Sequence, residues 1–257
     1  MIKAIWHNIF VDTYNKIEGE KSTSKQLNKK AITIFIVVAF SLIFIQYMGS
    51  YSFWGNTLDS IKTIFPNARL FQLTYWVSVL IVCYFILPIV VIKLFFKEKL
   101  KNYGLSPKGF FNGYKLYIVF FLFMVPLILL VSTTDSFQYK YPFYNPNGES
   151  LWPNFIIWQC LYLLQFFALE FFFRGFMVHG LKKQFGFYSI FIMMIPYMMI
   201  HFGKPMPETI GAIFAGIVLG ALSLKSRSIW LGVAIHYSVA ITMDLAALWQ
   251  KGYFNDL

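Results

Sequence analysis

The sequence predicts an all-α fold, a transmembrane helical bundle of about seven spans preceded by an N-terminal interfacial amphipathic helix. Of the 257 residues, 58% are hydrophobic and 13% are charged, whereas a soluble domain carries about 25% charged residues. The charged residues cluster between apolar runs that are long enough to cross a membrane, which takes roughly 20 residues. We therefore expect a multi-pass integral membrane protein whose residues 1–257 form a single membrane domain.

The N-terminal 20 residues have the pattern of an amphipathic helix. Apolar side chains recur there at helical spacing, with polar residues between them: Ile2, Ile5, Trp6, Ile9, Phe10, Tyr14 and Ile17. Such a helix is expected to lie in the membrane interface. The alternative is a helix that docks on the bundle, and the pattern alone does not distinguish between them.

Seven apolar runs follow, and each is predicted to be a membrane span. Their approximate limits are 31–48, 72–96, 115–132, 154–181, 187–202, 208–224 and 228–249. Pro126 and Pro196 lie inside the third and fifth runs, where they should kink the helix. Small residues recur at a spacing of four in the sixth run, which favours close packing of its neighbours.

The positive charge of the chain is explained by membrane orientation. Four basic segments, 21–30, 93–115, 182–183 and 225–227, fall on alternate sides of successive spans. Because cytoplasmic loops are rich in Lys and Arg, the N-terminus is predicted to be cytoplasmic. The formal net charge of +11 then serves orientation and contact with anionic membrane lipids. No free basic stripe is left to follow a phosphate backbone, so a nucleic-acid partner is not expected.

Ionisable side chains are concentrated in the last four spans. They are Glu170, Arg174, His179, His201, Glu208, His236 and Asp244. A charged group inside a membrane is costly and marks a functional site by default. Counted from the cytoplasmic ends, Glu170, His201 and His236 fall between roughly 12 and 21 Å deep. We therefore expect these three side chains to face one polar cavity, with Arg174 one turn from the carboxylate and Asp244 beyond His236.

A carboxylate and two imidazoles are suited to several kinds of chemistry. One group can take a proton from water while another stabilises an oxyanion, which is what peptide hydrolysis requires. Glu170, His201 and His236 also match a catalytic zinc set, so a divalent metal such as zinc is one candidate cofactor. The same groups would suit proton relay in a transporter. Glu170 and Arg174 would also suit a neutralised structural pair within one helix.

The motifs resemble the CAAX-prenyl-protease and bacteriocin-processing family of intramembrane proteases, also called the CPBP or Abi family. Residues 169–175, Leu-Glu-Phe-Phe-Phe-Arg-Gly, are similar to the family's first motif, Glu-Glu-x-x-x-Arg. Tyr197-x-x-x-His201 is similar to the second motif, Phe-x-x-x-His, and His236 begins the third, His-x-x-x-Asn or Asp. The similarity covers a core of about 154–249.

The resemblance implies an intramembrane endopeptidase in a bacterial cell membrane, which hydrolyses membrane-associated or lipidated peptide or protein substrates. In the family, the first Glu of the first motif and the His of the second motif activate the water. In this chain Glu170, the second Glu of the motif, would substitute for the first and act with His201. His236 would then stabilise the oxyanion, and Arg174 would set the charge of Glu170.

Two positions depart from the family pattern. Leu169 stands where the family has its first Glu, and Ala240 stands where the third motif has Asn or Asp. Asp244 is a candidate to replace the missing polar group near His236, and a structural role is the equal alternative for it. The alternative is a catalytically inactive member that acts in bacteriocin immunity or as a membrane regulatory or binding protein.

Overall fold

The computed structural model describes residues 6–21, 28–49, 68–106, 114–146 and 150–254. Every regular element within these ranges is helical, which confirms the all-α fold class. Residues 1–5 of the predicted amphipathic helix lie outside the described ranges.

The helices are numbered here in chain order. They are α1 (His7–Val11 continued by Asp12–Gly19), α2 (Lys29–Met48), α3 (Ala68–Ile81, continued through Val82–Ile86, Leu87–Val90 and Val91–Phe95), α4 (Tyr114–Val131), α5 (Asp135–Lys140), α6 (Asn154–Glu170), α7 (Gly180–Phe185), α8 (Ser189–Met199), α9 (Met206–Ser226) and α10 (Trp230–Gln250). A π-helical segment, Phe171–His179, joins α6 to α7, and 3₁₀ turns occur at Leu100–Tyr103 and Gly186–Tyr188.

By length and composition, six helical runs within the described ranges are long and apolar enough to cross a membrane. One of them, Asn154–Met199, has 46 residues. At 1.5 Å per residue it would extend roughly 70 Å, more than twice the thickness of a bilayer core. The chain turns at Gly186, where φ is +56°, and α8 packs back against the π-helical segment. This run therefore contains the predicted fourth and fifth spans.

Helix α1 docks on the bundle through one face. Ile9, Thr13 and Ile17, spaced four apart, are buried against the Gly186–Tyr188 turn and the C-terminal end of α9. The Glu18 carboxylate accepts the Phe187 backbone N–H at 3.0 Å. The outward face keeps exposed aromatic rings suited to a membrane interface, among them Trp6 and Tyr14.

Helices α8 and α9 approach each other closely because α9 presents glycine at the contact. A Cβ on Gly216 would lie 3.1 Å from the Tyr197 ring, and one on Gly220 would lie 2.9 Å from the Ile190 side chain. Gly211 has open space around it instead. The predicted small-residue packing therefore occurs at Gly216 and Gly220, and it brings the end of α8 beside α9.

The segment that carries the first motif lies at the centre of the bundle. Every residue from 168 to 181 is buried, and the Phe171, Phe172 and Phe173 side chains are fully enclosed. These aromatic residues pack against α3, α8 and α9 rather than facing lipid. Any polar side chain on this segment is therefore surrounded by protein.

Candidate functional site

Glu170 is the last residue of α6, and its side chain is fully buried. Its Oε1 lies 2.9 Å from Arg174 Nη1 and 2.9 Å from His236 Nδ1. A Cβ on Gly232 of α10 would lie 2.4 Å from the other oxygen, Oε2. The carboxylate is therefore enclosed by a guanidinium, an imidazole and the backbone of a neighbouring helix.

Arg174 is held between the carboxylate and an aromatic ring. Its side chain is fully buried, and its Cζ lies 3.9 Å from the centroid of the Tyr197 ring. A guanidinium over an aromatic face is stabilised by the ring quadrupole, most strongly where water is excluded. Arg174 belongs to the π-helical segment that joins α6 to α7.

His236 has a defined tautomer because of the group that it contacts. Its Nδ1 faces an oxygen of a carboxylate that is ion-paired with Arg174. Such an oxygen only accepts, so Nδ1 donates, and in the neutral ring Nε2 carries the free lone pair. The His236 side chain is 15% exposed and packs on the Phe166 ring, with centroids 4.4 Å apart.

His201 is fixed by the same kind of constraint. Its Nδ1 lies 2.9 Å from the Tyr197 backbone carbonyl, which only accepts, so Nε2 is again the proton-accepting nitrogen of the neutral ring. The His201 carbonyl accepts from Thr209 Oγ1 and from the Lys204 backbone N–H. The Tyr197 ring contacts both imidazoles, with centroids 5.0 Å from His201 and 6.1 Å from His236.

The structure thus brings together four of the five predicted site residues, but not in the expected pairs. Within the described part of the chain, the Glu170 carboxylate contacts Arg174 and His236, and no hydrogen bond joins it to His201. The two imidazoles flank Tyr197, and their Nε2 atoms make no hydrogen bond to any residue in the described ranges. The arrangement is therefore a buried Glu–Arg–His cluster beside a separately anchored histidine.

Asp244 lies apart from this cluster, contrary to the prediction. Its Oδ1 accepts the Phe143 backbone N–H at 3.2 Å, and its Oδ2 accepts Trp158 Nε1 at 2.9 Å and Gln159 Nε2 at 3.0 Å. The side chain is fully buried among these donors. Asp244 therefore ties the 141–146 segment and α6 to α10, and it does not supply a polar group to His236.

The two positions that depart from the family pattern are packing positions. Leu169 and Ala240 are each 4% exposed. Leu169 belongs to the apolar cluster around the π-helical segment, and Ala240 belongs to the cluster around Trp158. Neither position offers a donor or an acceptor to the cluster.

The predicted metal set does not fit a metal ion. Among the described residues, no group of three His, Cys, Asp or Glu side chains is placed to hold one. The reason is visible at Glu170, whose carboxylate is engaged by Arg174 and by His236 Nδ1. A cation there would have to displace the buried guanidinium.

Two further residues, Tyr197 and Gly232, shape the site, and the motifs did not predict this role for either of them. Tyr197 supplies the ring over Arg174 and the carbonyl that orients His201. Gly232 leaves the space that the Glu170 carboxylate fills. Each lies four residues before a motif histidine, and this spacing places it on the same helix face.

Residues 151–242 match the family model described as Type II CAAX prenyl endopeptidase Rce1-like. The match runs from the start of α6 into α10 and includes all three motifs, which confirms the predicted resemblance. No curated protein and no solved structure matches the chain. Together with the apolar helices, the match indicates an integral membrane protein that contains a CAAX-protease-like domain.

Proposed function

Since residues 151–242 match the Type II CAAX prenyl endopeptidase Rce1-like family model, we propose that this region binds membrane-associated peptides or proteins and does not hydrolyse them through Glu170. The observation that carries the proposal is the closure of the Glu170 carboxylate. Its side chain is 0% exposed, and its Oε1 is paired with both Arg174 and His236.

A general base must reach the proton of its water within hydrogen-bond distance, directly or through one other water. Oε1 already faces Arg174 Nη1 and His236 Nδ1 at 2.9 Å. Oε2 has no hydrogen-bond partner among the described residues, but it is buried against the backbone at Gly232. An attacking water would have to open the ion pair or push α10 aside. The carboxylate is therefore better suited to holding α6, the π-helical segment and α10 together.

The missing polar groups support the same conclusion. Hydrolysis requires donors aimed at the developing oxyanion, and the buried methyl group of Ala240 supplies none. Leu169 likewise cannot accept a proton. Asp244 is bound to Phe143, Trp158 and Gln159, so it replaces neither group.

A second candidate function is hydrolysis by the imidazoles, and one observation favours it. His201 and His236 each commit Nδ1 to an acceptor, which leaves Nε2 free to take a proton from water. His236 also retains 15% exposure of its side chain. Under this alternative the chain is an intramembrane endopeptidase in which Glu170 orients His236 and does not contact the water.

One set of variants distinguishes these functions. The purified protein in lipid nanodiscs is incubated with lipidated and unlipidated membrane peptides, and both peptide binding and product masses are measured. We expect binding without cleavage for the unaltered chain. Because Leu169→Glu with Ala240→Asn restores the family pattern, this double variant should cleave, while the matched Leu169→Gln with Ala240→Asn should not.

Two outcomes would contradict the proposal. Cleavage by the unaltered chain that is lost in His201→Ala and in His236→Ala, but kept in Glu170→Gln, would establish the imidazole mechanism. Cleavage that is lost in Glu170→Gln, while size-exclusion chromatography shows that this variant is still folded, would show that Glu170 acts as the general base.

A further inference from the structure

A groove of about 420 Å³ lies at the end of the bundle opposite α1, between α5 and the turn that follows His201. Its α5 wall includes Asp135, Tyr139 and Lys140, and its other wall is formed by residues 203–205. The groove is separate from the Glu170 cluster and lies where the first residues of α9 begin.

Two lysines line the groove, and they are held differently. Lys204 Nζ lies 2.6 Å from Glu208 Oε1, and Glu208 also accepts the Tyr141 hydroxyl at 2.8 Å. The Lys140 ammonium lies 5.8 Å from the centroid of the Phe143 ring and has no carboxylate partner among the residues that the structure describes. Within the described ranges, Lys140 therefore makes no contact with a carboxylate, and it lines the same groove as a second cation, Lys204, which is held by Glu208.

The electrostatics of Lys140 favour an anion in this place. Partial burial lowers the pKa of Lys140, and the positive charges of Lys204 and Arg69 lower it further, against the opposing effect of Glu208. An anionic group between the two ammonium groups would relieve this repulsion. Asp135 also lines the groove, and its carboxylate is a potential acceptor for a hydroxyl group of such a ligand.

An apolar stripe continues from the groove along α9. Met206 is 74% exposed, Ile210 is 43% exposed and Phe214 is 66% exposed, and they recur at a spacing of four. The stripe begins one residue after Pro205 of the groove wall and extends roughly 12 Å along the helix. At the rim, Tyr139 is 94% exposed, as expected of an aromatic ring at a membrane interface.

We propose that the groove and the stripe together bind one anionic phospholipid with a hydroxylated headgroup. Lys140 and Lys204 contact its phosphate, Asp135 accepts from a headgroup hydroxyl, and an acyl chain lies along Met206, Ile210 and Phe214. A phosphate diester matches the two adjacent cations, and the acyl chain matches an apolar stripe that a soluble anion or an acidic peptide would leave uncovered.

The groove would also connect a bound lipid to His201, the histidine of the second motif. The Lys204 backbone N–H donates to the His201 carbonyl, so the groove wall and His201 belong to one hydrogen-bonded turn. This link does not depend on whether the chain cleaves peptides.

Native mass spectrometry of the full chain in detergent tests the proposal, with phosphatidylglycerol, phosphatidylcholine and inorganic phosphate as separate probes. We expect retention of one phosphatidylglycerol at concentrations where phosphatidylcholine is lost. Loss of one charge-assisted hydrogen bond should make Lys140→Gln bind phosphatidylglycerol more weakly by roughly tenfold or more. The matched Lys29→Gln, at an exposed lysine on the first turn of α2, should bind as the unaltered chain does.

A second variant tests the acyl contact, since Phe214→Ser should also weaken lipid binding while leaving the lysines in place. Thermal midpoints without lipid should be nearly equal for all variants, because Lys29 and Phe214 are exposed and Lys140 has no carboxylate partner among the described residues. Equal retention of the two lipids, or unchanged binding by Lys140→Gln, would overturn the proposal. So would displacement of the lipid by inorganic phosphate alone or by an acidic peptide, which would reassign the groove to those ligands.

Discussion

Removing either Glu170 or Arg174 alone should destabilise the protein strongly, whereas removing both charges together should cost much less. Both side chains are 0% exposed and their nearest charged atoms are 2.9 Å apart. Removing one partner of such a pair leaves an uncompensated buried charge and costs about 3–5 kcal/mol. Glu170→Gln should show this cost, since the amide oxygen can still accept from His236 Nδ1 while the charge of Arg174 is left unpaired.

The size of the effect can be expressed as a thermal shift. For a chain of this length, 1 kcal/mol corresponds to roughly 2–4 °C, so either Glu170→Gln or Arg174→Gln should lower the apparent midpoint by roughly 6–20 °C. The contact of Arg174 with the Tyr197 ring is present before and after the Glu170 change, so it offers no compensation.

The double variant Glu170→Gln with Arg174→Gln is the internal control. It removes both charges and keeps an acceptor for His236, and replacement of a whole buried pair is often nearly neutral. Its midpoint, followed by tryptophan fluorescence in one detergent, should therefore fall by much less than the sum of the single changes. Single variants that shift the midpoint by less than about 2 °C, or a double variant that shows the full sum, would refute the argument.

Two further predictions concern Gly232 and Glu98. Gly232→Ala should destabilise the protein by about 1–3 kcal/mol, because its Cβ would lie 2.4 Å from Glu170 Oε2. The matched Gly211→Ala, with open space around it, should be neutral or stabilising by up to about 1 kcal/mol, and equal shifts in the two thermal midpoints would contradict this reasoning. At Glu98, partial burial favours protonation, but hydrogen bonds from Lys30 at 2.7 Å and Tyr103 at 2.6 Å lower its pKa below the ordinary value of 4.5. The stability that ionised Glu98 contributes is present above pH 4.5, and it is lost as the pH falls through the lower pKa of the folded state. The thermal midpoints of the unaltered protein and of Glu98→Gln should therefore differ near neutral pH and converge in acid. A difference between the two midpoints that is constant with pH would show that ionisation is not involved.

Sequence reasoning succeeded where the relevant physics is local. Apolar length identifies the spans, and a spacing of four places Glu170 and Arg174 on one helix face, so both could be predicted. Depth in the membrane also correctly grouped Glu170 with His236. It could not specify that their contact would be a direct hydrogen bond, because that depends on how α6 and α10 are rotated about their axes.

The error at Asp244 has the same origin. Two turns after His236 on one helix, Asp244 was expected to share its surroundings, yet its three donors come from α6 and from the segment before it. A helix of 21 residues in a bundle meets different neighbours along its length, so residues on one face need not serve one site. Only the packing of the other helices decides this.

The cluster also shows why matching motifs do not by themselves establish an activity. Family resemblance identifies Glu170, His201 and His236, but catalysis depends on which atom of each is free. Among the described residues, the Nε2 nitrogens of the two histidines have no hydrogen-bond partner, and Glu170 Oε1 faces Arg174 and His236. Glu170 Oε2 also has no hydrogen-bond partner there, but it is buried against the backbone at Gly232. A carboxylate in this setting stabilises the meeting point of α6 and α10. The apolar side chain of Leu169, one residue earlier, therefore bears directly on whether this domain can cleave a peptide.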